Sequence, residues 1–399
     1  MNRSLSLTAD KSEPQVWLTL LLAVACGLTA ANLYYAQPLA GPISAALGLS
    51  ATATGLIVTM TQIGYGLGLL LIVPLGDLIE NRRLTLILLA ISGLALLGVG
   101  FSTRPLPFLM FSLFIGIGTV AVQVLVPYAA HLATDAVRGR VVGNVLSGLL
   151  LGVMLARPVS SFITQLSSWH VVFFISAGGM LLLALVLAKT LPRRMPIGGL
   201  RYGDLLSSMA KLARTTPILR RRALYQAGLF GAFSLFWTTV PLLLAGPVYR
   251  LSQGEIALFA LAGVAGAIAA PIAGRFADRG WSQPGTVLAM LAVGAGFLLT
   301  HLAAPGSSWS LGLLVAAAVV LDFGVSANMT LGQRAIFSLG AEFRARLNGI
   351  YMTTFFIGGA VGSALGGWAY AQGGWSLASW IGFSLPVMTL IYFATERRE

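Results

Sequence analysis

Apolar stretches almost free of charge recur along the chain at 17–40, 54–76, 84–102, 106–130, 141–167, 171–188, 223–246, 256–274, 284–303, 310–333, 347–371 and 376–394. Each is near or above the ~20 residues a helix needs to cross the hydrocarbon of a bilayer. The pattern therefore predicts an all-α membrane protein with twelve transmembrane helices. The first stretch is longer than the ~7–15 apolar residues of a signal peptide, so it is expected to remain as a span. The connections are short except for 189–222, which predicts a helical bundle over 1–188, a linker over 189–222 and a second bundle over 223–399.

Composition agrees with a lipid solvent: 57% of residues are hydrophobic and 9% are charged, against about a quarter charged in soluble domains. This excludes a water-soluble globular enzyme. The net charge of +13 suggests nucleic acid until the positions of Lys and Arg are considered. The even-numbered connections and the two tails hold nearly all of them, from Arg3 and Lys11 to Arg397 and Arg398. The odd connections hold only Arg104 and Arg250, and Arg157 lies inside a span. Cytoplasmic loops carry the positive excess in membrane proteins. The charge thus marks topology, with both termini cytoplasmic in a bacterial inner membrane, and the partners implied are the bilayer and no nucleic acid. In the linker, Pro192, Pro196 and Pro217 interrupt the chain, while Leu205, Leu206, Met209 and Leu212 recur at helical spacing beside Lys211 and Arg214. That spacing fits either a short helix on anionic headgroups or a solvated basic linker.

Several chemistries lack their residues. The three lysines are not preceded by glycine, so no phosphate-cradling loop of a nucleotide-driven pump is present. His131, His170 and His301 are far apart and the single cysteine is Cys26, so no metal or redox set is read, and no cofactor is implied. No potassium-channel filter sequence occurs. A secondary carrier of a small molecule, acting as a monomer, is the remaining class.

The two halves repeat. Arg138-x-Arg140-x-x-Gly143 recurs 206 residues later as Arg344-x-Arg346-x-x-Gly349, Trp169 and Trp375 are also 206 apart, and Asp77 and Asp278 are 201 apart. The segment Gly274-Arg-Phe-Ala-Asp278-Arg279-Gly280 closely resembles the loop motif of the major facilitator superfamily. A degraded first copy, Val73-Pro-Leu-Gly-Asp77-Leu-Ile-Glu80-Asn-Arg82-Arg83, keeps the aspartate and basic residues but lacks two of the family's glycines. Asn32-Leu-Tyr-Tyr35-Ala-Gln37-Pro38 is similar to the first-span signature of a bacterial subgroup of drug:proton antiporters. The resemblance implies the major facilitator fold of two pseudo-symmetric six-helix bundles, alternating access and export of small amphipathic compounds against protons. The chain departs from the antiporter pattern at Ser112, where the family has arginine, and at Ala156-Arg157-Pro158, where the family's fifth-span motif ends in Gly-Pro.

Small residues four apart at Gly64/Gly68, Gly148/Gly152, Gly266/Ala270/Gly274 and Gly358/Gly362/Gly366 permit close helix approach. In the facilitator fold their spans move against each other between the halves, which predicts that these stripes serve the rocking of the two bundles.

Two charges lie well inside spans, Asp322 in the tenth and Arg157 in the fifth. Each costs about 2.5–3.5 kcal/mol on insertion scales, so such charges mark use. A carboxylate removed from water gains by taking up a proton, whereas a guanidinium keeps its own. Three readings stay open for the pair: Asp322 carries the proton while Arg157 holds an anion or biases protonation, the two form a bridge made in one orientation only, or they simply satisfy one another. Candidate substrate contacts are Tyr34, Tyr35, Gln37, Gln62, Gln123, Trp237, Asn328 and Tyr351. Phe230 and Phe233 share a helix face with Trp237 but fit an apolar packing surface equally well. The loop residues Asp77, Arg82, Arg83, Asp278 and Arg279, with Arg138 and Arg344 at the repeated helix starts, are the candidate gate, in which each aspartate meets a helix N-terminus while the cytoplasmic mouth is closed. Uptake of a small polar metabolite with protons and a non-transporting sensor on a carrier scaffold are the alternative functions.

Overall fold

The computed structural model describes residues 16–134, 136–195, 201–340 and 343–396. The expected tail charges Arg3, Lys11, Arg397 and Arg398, and Pro196 of the linker, lie outside them. The described residues form helices α1 (Val16–Ala31), α2 (Ala40–Leu47), α3 (Leu56–Leu71), α4 (Asn81–Gly100), α5 (Pro105–Thr119), α6 (Ala121–Leu132), α7 (Arg138–Leu166), α8 (Trp169–Thr190), α9 (Tyr202–Thr215), α10 (Pro217–Ala245), α11 (Gln253–Ala260), α12 (Gly266–Asp278), α13 (Ser282–Leu299), α14 (Ser308–Phe337) and α15 (Arg344–Ala394). Ten stretches are long and apolar enough to cross a membrane, and Val16–Ala31 is a shorter apolar helix. The longest, α15, contains two passes, because Gly373 and Gly374 leave helical geometry, Gly374 at φ +60°. That backbone region favours glycine. The apolar stretches thus amount to twelve passes. Leu94, Leu182, Leu185 and Leu288 are exposed along them, as side chains that face lipid should be.

Helices α1 to α8 pack together as one bundle, α1 on α7, α3 on α5 and α4 on α8, and α10 to α15 as the other, α10 on α15, α12 on α14 and α13 on α14. The repeat read in the sequence is visible at the helix starts: α7 begins at Arg138 and α15 at Arg344. Each arginine turns back on the end of the preceding span, Arg138 Nε donating to Ala130 O at 3.1 Å and Arg344 Nε to Phe337 O at 3.3 Å.

Three expectations are corrected. Three of the four small-residue stripes pack inside a bundle, not between the bundles. A Cβ on Gly152 would strike the Gly27 backbone of α1, one on Gly64 the Leu113 backbone of α5, and one on Gly358 or Gly362 the Ala227 or Gly231 backbone of α10, while nothing lies within 4 Å of Gly274. Helices in lipid have no hydrophobic drive to associate and gain mainly from backbone approach, which the neighbours within a bundle exploit. The first pass is not one helix to residue 40. Pro38 lacks an N–H and restricts Gln37, and residues 32–38 form a chain of tight turns, with Tyr34 N donating to Ala31 O at 2.9 Å and Gln37 N to Tyr34 O at 3.2 Å. In the linker, helix α10 already begins at Pro217, and Arg222 is buried, donating to Thr286 Oγ1 at 3.0 Å and lying 3.9 Å from Glu396 Oε1. The amphipathic helix is present as α9, but its buried Leu205 and Met209 turn inward and line a cavity. Tyr202 Oη donates to Leu71 O at 2.7 Å and Arg346 donates to Ser208 Oγ, so α9 touches both bundles.

Candidate functional site

The bundles meet at the end opposite the arginine-rich loops. Thr59 Oγ1 and Ser363 Oγ are 2.8 Å apart, Thr59 also donates to Ala360 O at 3.2 Å, and Gly254 N donates to Gln165 Oε1 at 3.1 Å. At the arginine-rich end they part around a cavity of about 520 Å³ lined by Asp77, Asn81, Gln123, Arg138, Arg346 and Asn348 among others. An open end and a closed end describe one pose of an alternating-access carrier.

Between the ends the two intramembrane charges come together. Arg157, on α7, is 3% exposed and Asp322, on α14, is 4% exposed. They form no direct ion pair. Trp237 of α10 touches both: its indole Nε1 donates to Asp322 Oδ1 at 2.8 Å, and its ring lies 4.6 Å from the Arg157 guanidinium carbon. Tyr34 at 5.0 Å and Phe233 at 5.1 Å complete an aromatic cage around that guanidinium, a contact worth about 2 kcal/mol where the cation is desolvated. Arg157 Nε donates to Gln37 Oε1 at 2.7 Å.

Two breaks in helical backbone position these groups. The turns at 32–38 deliver Tyr34 and Gln37. In the eighth pass the backbone runs as a 3₁₀ stretch, Leu261–Ala265, between α11 and α12, and Gly263 within it covers the pair. A Cβ added to Gly263 would sit 3.0 Å from Asp322 Oδ2, 3.2 Å from the Trp237 ring and 3.6 Å from Arg157 Nη1. Irregular backbone at membrane depth is tolerated where it is buried in protein or lines a cavity.

The remaining sequence candidates separate into layers. Gln62 Nε2 donates to Ser234 Oγ across the bundle interface at 2.9 Å. Gln123 donates to Tyr65 Oη at 3.0 Å and faces the cavity. Asn328 donates to Gln226 Oε1 at 2.6 Å within the second bundle. Tyr35 is buried. Tyr351 belongs to a separate apolar cluster with Leu219, Ala223, Ile336 and Leu347. Of the loop residues, Asp77 opens on the cavity, Arg82 donates to Ala188 O, Arg83 is exposed, and Arg279 lies over the Trp281 ring at 5.8 Å. Asp278 pairs with Arg334 of its own bundle at 2.5 Å, both exposed, a contact worth little in itself.

Sequence reasoning passed over Gly263, Ser234 and Gln226 and left Phe233 open between packing and binding. Phe233 was indistinguishable from a packing residue, whereas the glycines at 263 and 266, in mid-span, were a usable signal of broken helix. A layer of rings, with Phe230 on Phe355 at 3.7 Å and Tyr65 against Phe356 at 4.4 Å, lies beside the Gln62–Ser234 contact. Phe230 is two helical turns from Trp237 on α10, about 10 Å toward the open end.

The chain is similar over most of its length to proteins described as uncharacterized or probable transporters. It is 38% identical over 387 residues to the uncharacterized transporter YgaY of Escherichia coli O157:H7, covering 96% of this chain and 97% of that one. It is 34% identical over 362 residues to a probable transporter of Streptomyces coelicolor, covering 89% and 82%. Among solved structures it superposes on the nucleoside transporter NupG with a TM-score of 0.77 at 15% identity, covering 94% and 99%. It also superposes on a bacterial homologue of the human lysosomal transporter Spinster, inward-facing and occupied, with a TM-score of 0.71 at 15% identity, covering 95% of each chain. At that identity the likeness is one of fold. The sequence matches the major facilitator superfamily over residues 20–313 and 258–399. The chain is a multi-pass membrane transporter of the major facilitator superfamily.

Proposed function

We propose that this transporter is a proton-coupled secondary carrier in which Asp322 binds the proton and Arg157 is the fixed charge that either Asp322 or the cargo balances. The observation that carries this reading is the burial of both charges at the meeting of the bundles, linked through Trp237 rather than joined directly. A permanently closed ion pair has nothing to exchange, whereas two charges that form no direct pair can each take a separate partner. The bundles of 1–188 and 223–399, joined by 189–222, rock about this layer. Asp77, Asp278 and their neighbouring arginines latch the arginine-rich end, which we assign to the cytoplasm together with both termini. The carrier works as a monomer in the bacterial inner membrane.

The first-span signature supports export of small amphipathic compounds against protons. A second reading, entry of a small polar metabolite together with protons, is favoured by Arg157, because a caged guanidinium beside the proton site attracts anions and repels the lipophilic cations common among exported drugs. The test is flux in proteoliposomes over a compound panel under an imposed pH gradient, with wild type and Asp322→Asn in parallel. Accumulation driven by the gradient in wild type and its loss in Asp322→Asn is the expected result. Gradient-driven accumulation that persists in Asp322→Asn removes Asp322 from the proton path.

A further inference from the structure

Two nitrogen donors in the central layer have no acceptor. Gln37 Nε2 and Arg157 Nη2 are buried without a hydrogen-bond partner, although the same side chains are joined through Arg157 Nε and Gln37 Oε1. Buried donors are nearly always met, and here two lie on adjoining side chains, one of them charged. The hydroxyls of Ser161, one turn beyond Arg157 on α7, and of Thr238, next to Trp237, are likewise buried and unmet. Tyr34, Phe233 and Trp237 surround the guanidinium. A pair of adjoining donors among flat aromatic walls matches a carboxylate carried on a planar or apolar body.

We propose that the substrate is a monoanion, held through its carboxylate by Arg157 Nη2 and Gln37 Nε2, and that it is carried only together with a proton on Asp322. This deepens the second reading above, in which solute and proton move together, and rests on it. Arg157 contributes one positive charge throughout. In the empty site the Asp322 carboxylate balances it, and in the loaded site the substrate balances it, so Asp322 must then be neutral. The two remaining combinations leave one uncompensated charge in the hydrocarbon layer, which disfavours each by roughly 100-fold. Only the balanced states reorient, and proton and anion therefore travel in the same direction. The titratable groups brought to Asp322 are Arg157 from α7 and Tyr34 from the turns after α1. Among the described residues, α12, α13, α15 and the Leu261–Ala265 stretch bring none.

The experiment uses the full chain in lipid nanodiscs in weakly buffered medium, with benzoate as probe and benzamide and benzylammonium as its neutral and cationic counterparts. Binding is read by tryptophan fluorescence and proton uptake by a pH dye. Wild type is expected to take up about one proton per benzoate bound. Asp322→Asn should bind benzoate without proton uptake, and Arg157→Gln should bind it at least roughly 10-fold more weakly. Arg157→Lys, which keeps the charge without the fork, should fall between and shows that the site still folds. Absence of benzoate binding, equal binding of either counterpart, full binding in Arg157→Gln, or binding without proton uptake in wild type would each overturn the proposal. The parent reading is judged separately by the acid titration of Trp237 fluorescence in ligand-free protein. If that titration is the same in wild type and Asp322→Asn, the proton site itself is lost.

Discussion

The indole N–H of Trp237 points at the carboxylate of Asp322, 2.8 Å away, while the ring of the same residue lies against the guanidinium of Arg157. One aromatic side chain thus touches both charges that the sequence leaves in the membrane, one by its polar edge and one by its ring. The indole can only donate, so it supports the ionised carboxylate as an acceptor without ever competing for the proton.

Trp237→Phe keeps the ring and removes the donor. A hydrogen bond to a charged group is worth about 1.5–3 kcal/mol, so the coupled transport rate is expected to fall by about 10- to 100-fold with the fold unchanged. Flux and thermal unfolding measured side by side separate these, and an equal drop in both refutes a coupling role.

The pH dependence follows from the same contact. In the proposed cycle the loaded carrier requires neutral Asp322, so its counterflow should decline as pH rises through the titration of that carboxyl. Asp322→Asn stays neutral at every pH, and its counterflow should be flat with pH while uphill transport vanishes. A mutant profile that still declines with rising pH would assign the titration to another group.

Gly263→Ala introduces a Cβ at 3.0 Å from Asp322 Oδ2 and 3.2 Å from the Trp237 ring. The neighbours must move by a few tenths of an ångström, which disturbs the spacing of the charges. Transport is expected to fall several-fold with little change in melting temperature. Gly274→Ala, with nothing within 4 Å, is the control on the same pass and should behave as wild type.

Thr59 and Ser363 close the end away from the arginine-rich loops with hydroxyls 2.8 Å apart. A Thr59→Cys/Ser363→Cys pair, oxidised in the membrane, should stop transport and recover on reduction. The native Cys26 is buried and leaves little background. Cross-linked carrier that turns over at the wild-type rate would contradict opening at this contact.

Gly152→Leu drives a large side chain into the Gly27 backbone, where even a Cβ collides. Overpacking of this kind typically costs about 1–3 kcal/mol or more. The expected result is a lower melting temperature and poor recovery from the membrane, whatever the transport assay reads.

The number of passes, the duplicated halves and the family were legible because they depend on local composition: hydrocarbon demands uninterrupted apolar stretches, and repeated motifs survive at fixed offsets. Asp322 and Arg157 were legible for the same reason, as charges in a stretch that should hold none. The α9 helix was legible from the spacing of Leu205 and Met209, but which surface they meet was not, since lipid and protein are both apolar. The small-residue stripes were likewise readable as close contacts but not as contacts with a particular partner. Gly148 and Gly152 meet α1, because packing selects among neighbours that spacing cannot tell apart. Only the tertiary structure decided that Trp237 touches both charges, that the broken backbone at 32–38 and 261–265 supplies Gln37 and Gly263, and that Phe233 joins the cage. The site gathers residues from Tyr34 to Asp322, 288 positions apart in the chain. Their geometry is set by how whole helices cross, which no local pattern of hydrophobic and polar letters encodes.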